Sequence, residues 1–121
     1  MNTRLLVVVV LVLFARSIQA AEPSTLRYVG KSYSDYGGAL KQQIVLYHVT
    51  GAGRYVGKVR CRGKRCLVRS SAVAVTFYVD YTFAAVTNYC DVWGTYSTYS
   101  ISGSYDCYNG DSGTLYARRT R

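Results

Sequence analysis

The sequence predicts an all-β protein: a small antiparallel sandwich or barrel of hairpins, stapled by disulfides and preceded by an N-terminal signal peptide. Three observations carry that expectation. Residues 71–83 put Val73, Val75, Phe77, Val79, Tyr81 and Phe83 at odd positions, with Ala72, Ala74, Thr76, Tyr78, Asp80 and Thr82 between them. That period of two belongs to a strand with one face in a core, whereas a helix repeats at about 3.6. Residues with turn chemistry recur between the apolar runs, at Asp35-Tyr36-Gly37-Gly38, Gly51-Ala52-Gly53 and Asn109-Gly110-Asp111-Ser112-Gly113. Beyond the leader there is neither a long amphipathic helical pattern nor a tandem repeat.

Taken in order, Met1–Arg4 carries a positive charge and Leu5–Ala15 is an almost unbroken apolar run. Ile18-Gln19-Ala20 then ends on a small residue. This is the three-part pattern of a secretory signal, with cleavage expected after Ala20, so that residues 1–20 are the signal and 21–121 a single β-rich secreted domain. Arg16 and Gln19 interrupt the run, leaving it short of the about 20 apolar residues of a spanning helix. No later stretch reaches that length, so no transmembrane segment is expected in the mature chain. Removing residues 1–20 takes away Arg4 and Arg16 and leaves thirteen basic and six acidic residues, a net +7. Four cysteines in an exported chain of this size imply two disulfides and a secreted or periplasmic location.

Glu22–Thr25 is a polar leader holding the only proline, Pro23. Leu26–Ser34 reads as a first strand and Ala39–Thr50, with Ile44, Val45, Leu46, Tyr47 and Val49, as a second. Ser71–Phe83 reads as one long strand with its odd face in the core. Thr95–Tyr108 alternates again, with Tyr99, Ile101, Gly103, Tyr105 and Cys107 on one face and serines and Asp106 on the other. Thr114–Ala117 returns from the Asn109–Gly113 turn, and Arg118–Arg121 is a basic tail. A five-residue loop there sets Tyr105 against Leu115, matching the apolar faces better than a two-residue Asn109-Gly110 turn. Seven or so strands follow.

The stretch Arg54–Arg69 holds seven of the fifteen Lys and Arg residues and no acid. Cys61 and Cys66 frame its centre, and a hairpin register that sets them face to face pairs Val59 with Val68 and Lys58 with Arg69. Directly opposed strand residues have Cα atoms about 4.5–5.5 Å apart, within the roughly 4.4–6.8 Å a disulfide spans. Four cysteines allow three connectivities; the hairpin favours Cys61–Cys66, which leaves Cys90–Cys107 by elimination. One face of this hairpin is apolar and the other cationic. A like-charge pair costs stability, so Lys58 opposite Arg69 suggests that the charge is used. The candidate binding residues are Arg54, Lys58, Arg60, Arg62, Lys64, Arg65 and Arg69.

Catalysis and cofactors find no foothold. His48 is the only histidine, and on an apolar strand its commoner role is structural. Glu22 is the only glutamate, in the leader; a carboxylate pair across a cleft would need two of Asp80, Asp91, Asp106 and Asp111 to meet, and turn chemistry accounts for Asp106 and Asp111. Cys61-x4-Cys66 lacks the second ligand pair of a zinc site. Gly53–Lys58 has the wrong spacing for a phosphate loop, and Val59 stands where Ser or Thr would bind magnesium. The expected function is therefore an exported cationic binding protein whose disulfide-closed hairpin contacts an anionic partner: an acidic glycan, an envelope surface or an acidic protein. Nucleic acid is less favoured, because export directs the chain away from it. The alternative is a secreted inhibitor or host-interaction effector, followed by a small hydrolase using His48. Ser102-Gly103-Ser104 is similar to the Ser-Gly-Ser loop of bacterial periplasmic lysozyme inhibitors, but the net positive charge would repel a cationic lysozyme, and the family is not assigned.

Overall fold

The computed structural model describes residues 22–66 and 69–120, so the signal-peptide expectation for residues 1–20 lies outside them. The described chain is all strand and turn. β1 (Thr25–Ser34), β2 (Ala39–His48), β3 (Arg54–Arg62), β4 (Ser70–Phe77), β5 (Thr82–Thr87), β6 (Cys90–Tyr96), β7 (Ser100–Cys107) and β8 (Ser112–Thr120) follow one another. Each pairs antiparallel with its neighbour in sequence, and β8 returns to β1, closing a barrel. Closure leaves no open sheet edge.

Inward positions are apolar: Leu26, Tyr28, Ile44, Leu46, Tyr55, Val73, Val75, Phe83, Ala85, Ile101, Leu115 and Ala117 form one buried cluster. Charges point outward. Between the charges the outer surface also carries Val29, Tyr47, Val56, Val86, Trp93 and Tyr116, each about half exposed. Among the described residues no helix is long and apolar enough to cross a membrane.

Four expectations are corrected. The run 71–83 is two strands, β4 and β5, joined by a reversal at Tyr78–Tyr81 that leaves Val79 98% exposed. Asp80 Oδ1 accepts from the Thr82 amide at 3.1 Å and hydroxyl at 2.6 Å, and Tyr81 takes φ 66°. An Asx turn thus does the work of glycine. Phe77 pairs with Phe83, so odd faces odd across the turn and the period-two pattern runs through the reversal unbroken.

The β3–β4 register also differs: Lys58 opposes Ala72 and Val59 opposes Ser71, with Arg69 O accepting from Cys61 N at 2.9 Å. The loop is longer than four residues, and Val68 lies outside the described residues. At β7–β8, Cys107 N bonds Asp111 O at 2.8 Å around Tyr108–Gly110, with Gly110 at φ 93°, so Tyr105 opposes Gly113 and Leu115 opposes Gly103. A three-residue loop ending in a left-handed glycine is a favoured hairpin connection. Finally, Arg118 and Arg119 are not a tail but part of β8, opposite Val29 and Tyr28. The Ser102–Ser104 run lies within β7, on a strand as its alternation predicts.

Both disulfides form as expected, Cys61–Cys66 and Cys90–Cys107. Cys66 is not directly opposed to Cys61; it turns back within the loop, at a Cα separation of 5.9 Å. Cys90 and Cys107 are cross-strand partners at the ends of β6 and β7.

Candidate binding wall and barrel mouth

The two barrel ends differ. At one, β1, β3, β5 and β7 begin and the inward positions are aromatic. Tyr55 and Phe77 meet edge-to-face at 5.6 Å, and Phe77 and Tyr96 at 4.8 Å, with Tyr28 and Phe83 buried alongside. The leader seals this end. Glu22 Oε1 accepts from the Gly53 amide at 2.9 Å, Tyr55 OH donates to Pro23 O at 2.8 Å, and Ser24 O accepts from His48 N. His48 Nε2 lies 2.7 Å from Glu22 Oε2 and 2.8 Å from Gly51 O. The imidazole therefore ties the leader to the β2–β3 turn, as a structural histidine does.

At the other end most inward positions are small, Ser32, Cys61, Ser71, Thr87, Cys90 and Cys107, with Leu40, Gln42 and Tyr105 among them. An eight-stranded barrel is just wide enough for side chains to fill it. A layer of short side chains therefore leaves space, and a cavity of about 310 Å³ opens here, floored by Phe77 and Phe83. Its rim carries Arg65, Tyr89, Tyr108 and Asn109. Asp111 at the rim has both oxygens engaged, by Ser34 Oγ at 2.6 Å and Tyr105 OH at 3.3 Å. Burial and the adjacent Asp111 charge push the Tyr105 phenol up, which keeps it a donor.

The expected cationic residues are spread over three places, with Arg69 exposed just ahead of β4. Arg54, Lys58, Arg60 and Arg62 alternate outward along β3, all exposed, while Tyr55, Gly57, Val59 and Cys61 face in. The two-faced reading of this strand therefore holds. Lys64 and Arg65 lie in the loop at the open end. A Cβ on Gly38 would come within 3.0 Å of Arg65 Nη1, so the guanidinium reaches across to the β1–β2 turn. Arg54 belongs elsewhere, at the sealed end some eight residues along the strand. The cations are thus spread over a barrel wall and its rim rather than gathered on a protruding finger.

Sequence reasoning missed the rest of that wall. Lys31 opposes Lys41 across β1–β2, and Lys41 opposes Arg62 across β2–β3, so three cations stand abreast. Arg27 and Arg118 are also exposed on the outer surface of β1 and β8. No acid occupies an outward position of β8, β1, β2 or β3. Across the barrel, Asp91 and Asp106 are paired and exposed on β6 and β7. Among the described residues the sole ion pair is His48–Glu22, and no group of three or more His, Cys, Asp or Glu side chains assembles as a metal site. A shallow outer groove, lined by Val45, Val56, Ala72, Ala74 and Val86, runs beside Arg27, Lys58 and Arg60.

The fold and site define a disulfide-bonded antiparallel barrel with one charged wall and one open end. Compared with protein-family models, curated proteins and solved structures, the chain finds no match. The disulfides are consistent with an oxidising, extracellular-type compartment.

Proposed function

We propose that the protein is an exported binding protein whose wall β8–β1–β2–β3, with Lys64 and Arg65 at its rim, holds an anionic polymer or surface. The leader residues 1–20 and the disulfides support a secreted or periplasmic location. The observation that carries the reading is the row Lys31–Lys41–Arg62 on three adjacent strands, with no carboxylate on the wall to neutralise it. Neighbouring strands are about 4.8 Å apart, and like charges directly opposed destabilise a sheet. A partner with closely repeated anionic groups, such as an acidic glycan, relieves that repulsion when it binds, whereas a single anion relieves it at one point only. The strength and rate of encounter then come from the summed positive field.

The test is binding to a sulfated glycosaminoglycan as salt is raised from about 0.05 to 0.3 M, where a polyanion contact weakens steeply. The triple variant Lys31→Gln, Lys41→Gln, Arg62→Gln should bind about tenfold more weakly, since three exposed contacts of roughly 0.5 kcal/mol each amount to that ratio. Asp91→Asn with Asp106→Asn, on the far side, should leave affinity unchanged. Salt-independent binding, or a triple variant that binds like the natural chain, defeats the proposal. A saturable protein partner retained at high salt would favour the inhibitor reading in its place.

A further inference from the structure

The barrel lumen is a second site, separate from the outer wall. We propose that it takes the tail of a single-chain anionic amphiphile, a fatty-acid-like carboxylate, with the head at the mouth beside Arg65.

The lumen's shape and chemistry argue for a tail. Its volume of about 310 Å³ is at the low end of the roughly 300–1,000 Å³ of small-molecule sites, enough for one narrow chain. Leu46, Val75, Ala85, Ile101 and Leu115 line it over the Phe77 and Phe83 floor. Ordered water needs two to four polar partners, and an apolar cavity of this kind stays dry until an apolar molecule enters. The polar side chains on this wall are few and partly bonded to one another, Gln42 Nε2 donating to Ser32 Oγ at 3.1 Å, and among the described residues no buried side-chain nitrogen or oxygen is left without a partner.

The mouth argues for an anionic head. The aromatic layer and the leader close the far end, so a ligand enters and leaves past the rim. Arg65 lines that rim, exposed, on a loop fixed by the Cys61–Cys66 bridge, and both cysteines line the lumen. Asp111, the rim's carboxylate, already accepts from Ser34 and Tyr105, and among the described residues no acid pairs with Arg65. Tyr89 and Tyr108, 51% and 71% exposed, add amphipathic rings where a tail meets a head.

The experiment uses the oxidised mature chain with anilinonaphthalene sulfonate as a fluorescent reporter and dodecanoate, dodecanol and dodecyltrimethylammonium as competitors. Dodecanoate should displace the reporter at least tenfold more effectively than the other two, and Arg65→Gln should remove that preference. Intermolecular NOEs in the unmodified protein should connect the dodecanoate chain to the Ile101 and Leu115 methyls. NOEs to Val45, Val56 or Val86 alone would place the tail in the outer groove and overturn the proposal. So would equal displacement by alcohol and acid, or no displacement. The Lys31, Lys41, Arg62 triple variant should keep its dodecanoate affinity, so loss of the polyanion reading and loss of this one are read separately.

Discussion

Tyr55 shows how a single residue couples the leader to the barrel. Its ring packs against His48 and Phe77, and its hydroxyl donates to Pro23 O. Burial, and then the Glu22 charge, push the phenol from 10.0 up to about 12. The fold thus favours the neutral phenol. That contribution is fully present below the unfolded value of 10.0 and disappears as pH rises through the folded value of about 12. Burial likewise raises Tyr28, Tyr96 and Tyr105. In a spectrophotometric alkaline titration these four should ionise above the ordinary phenol value, together with unfolding. Tyr55→Phe should cost about 1 kcal/mol at neutral pH through the lost hydrogen bond and flatten the fall of stability between pH 10.0 and about 12.

At the scale of strands, two features set the wall. Gly57 lets β3 press against β2: a Cβ there would lie 1.8 Å from Val45 O. Gly57 also borders the outer groove beside Lys58. The second feature is the row Lys31–Lys41–Arg62. A like-charge pair between Lys58 and Arg69 was expected, and the barrel instead opposes Lys58 to Ala72 and places the repulsion one strand over. Lys41→Gln should therefore raise stability by roughly 0.5 kcal/mol at low salt, with the gain fading as salt screens the row. The same variant should bind the glycosaminoglycan less well. Chemical denaturation at two ionic strengths checks the first half, and a binding titration the second.

For the whole molecule, the taper from aromatic to small inward residues decides that the core is solid at one end and hollow at the other. The Cys61–Cys66 and Cys90–Cys107 bridges lie at the hollow end, where side-chain packing contributes least. Ala85 faces that space. Ala85→Val should raise the ligand-free protein's stability by about 1 kcal/mol, as cavity-filling substitutions commonly do, and weaken dodecanoate binding by narrowing the lumen. Thermal unfolding with and without dodecanoate reads both: the ligand-induced rise in Tm should shrink as the ligand-free Tm climbs.

The sequence by itself determined the all-β class and the two faces of β3, and it favoured, among three connectivities, the disulfide pairing that the structure shows. Each is local: alternation, turn chemistry and cysteine spacing act within one hairpin. The hidden turn at Tyr78–Tyr81 escaped because a parity-preserving reversal leaves alternation intact and Asp80, not glycine, makes it. The Lys31–Lys41–Arg62 row and the ring of Ser32, Cys61, Ser71, Thr87, Cys90 and Cys107 around the mouth were decided only by the tertiary structure. Their members are scattered along the chain, and only closing the barrel, with each register fixed, puts like charges abreast outside and small side chains in one layer inside.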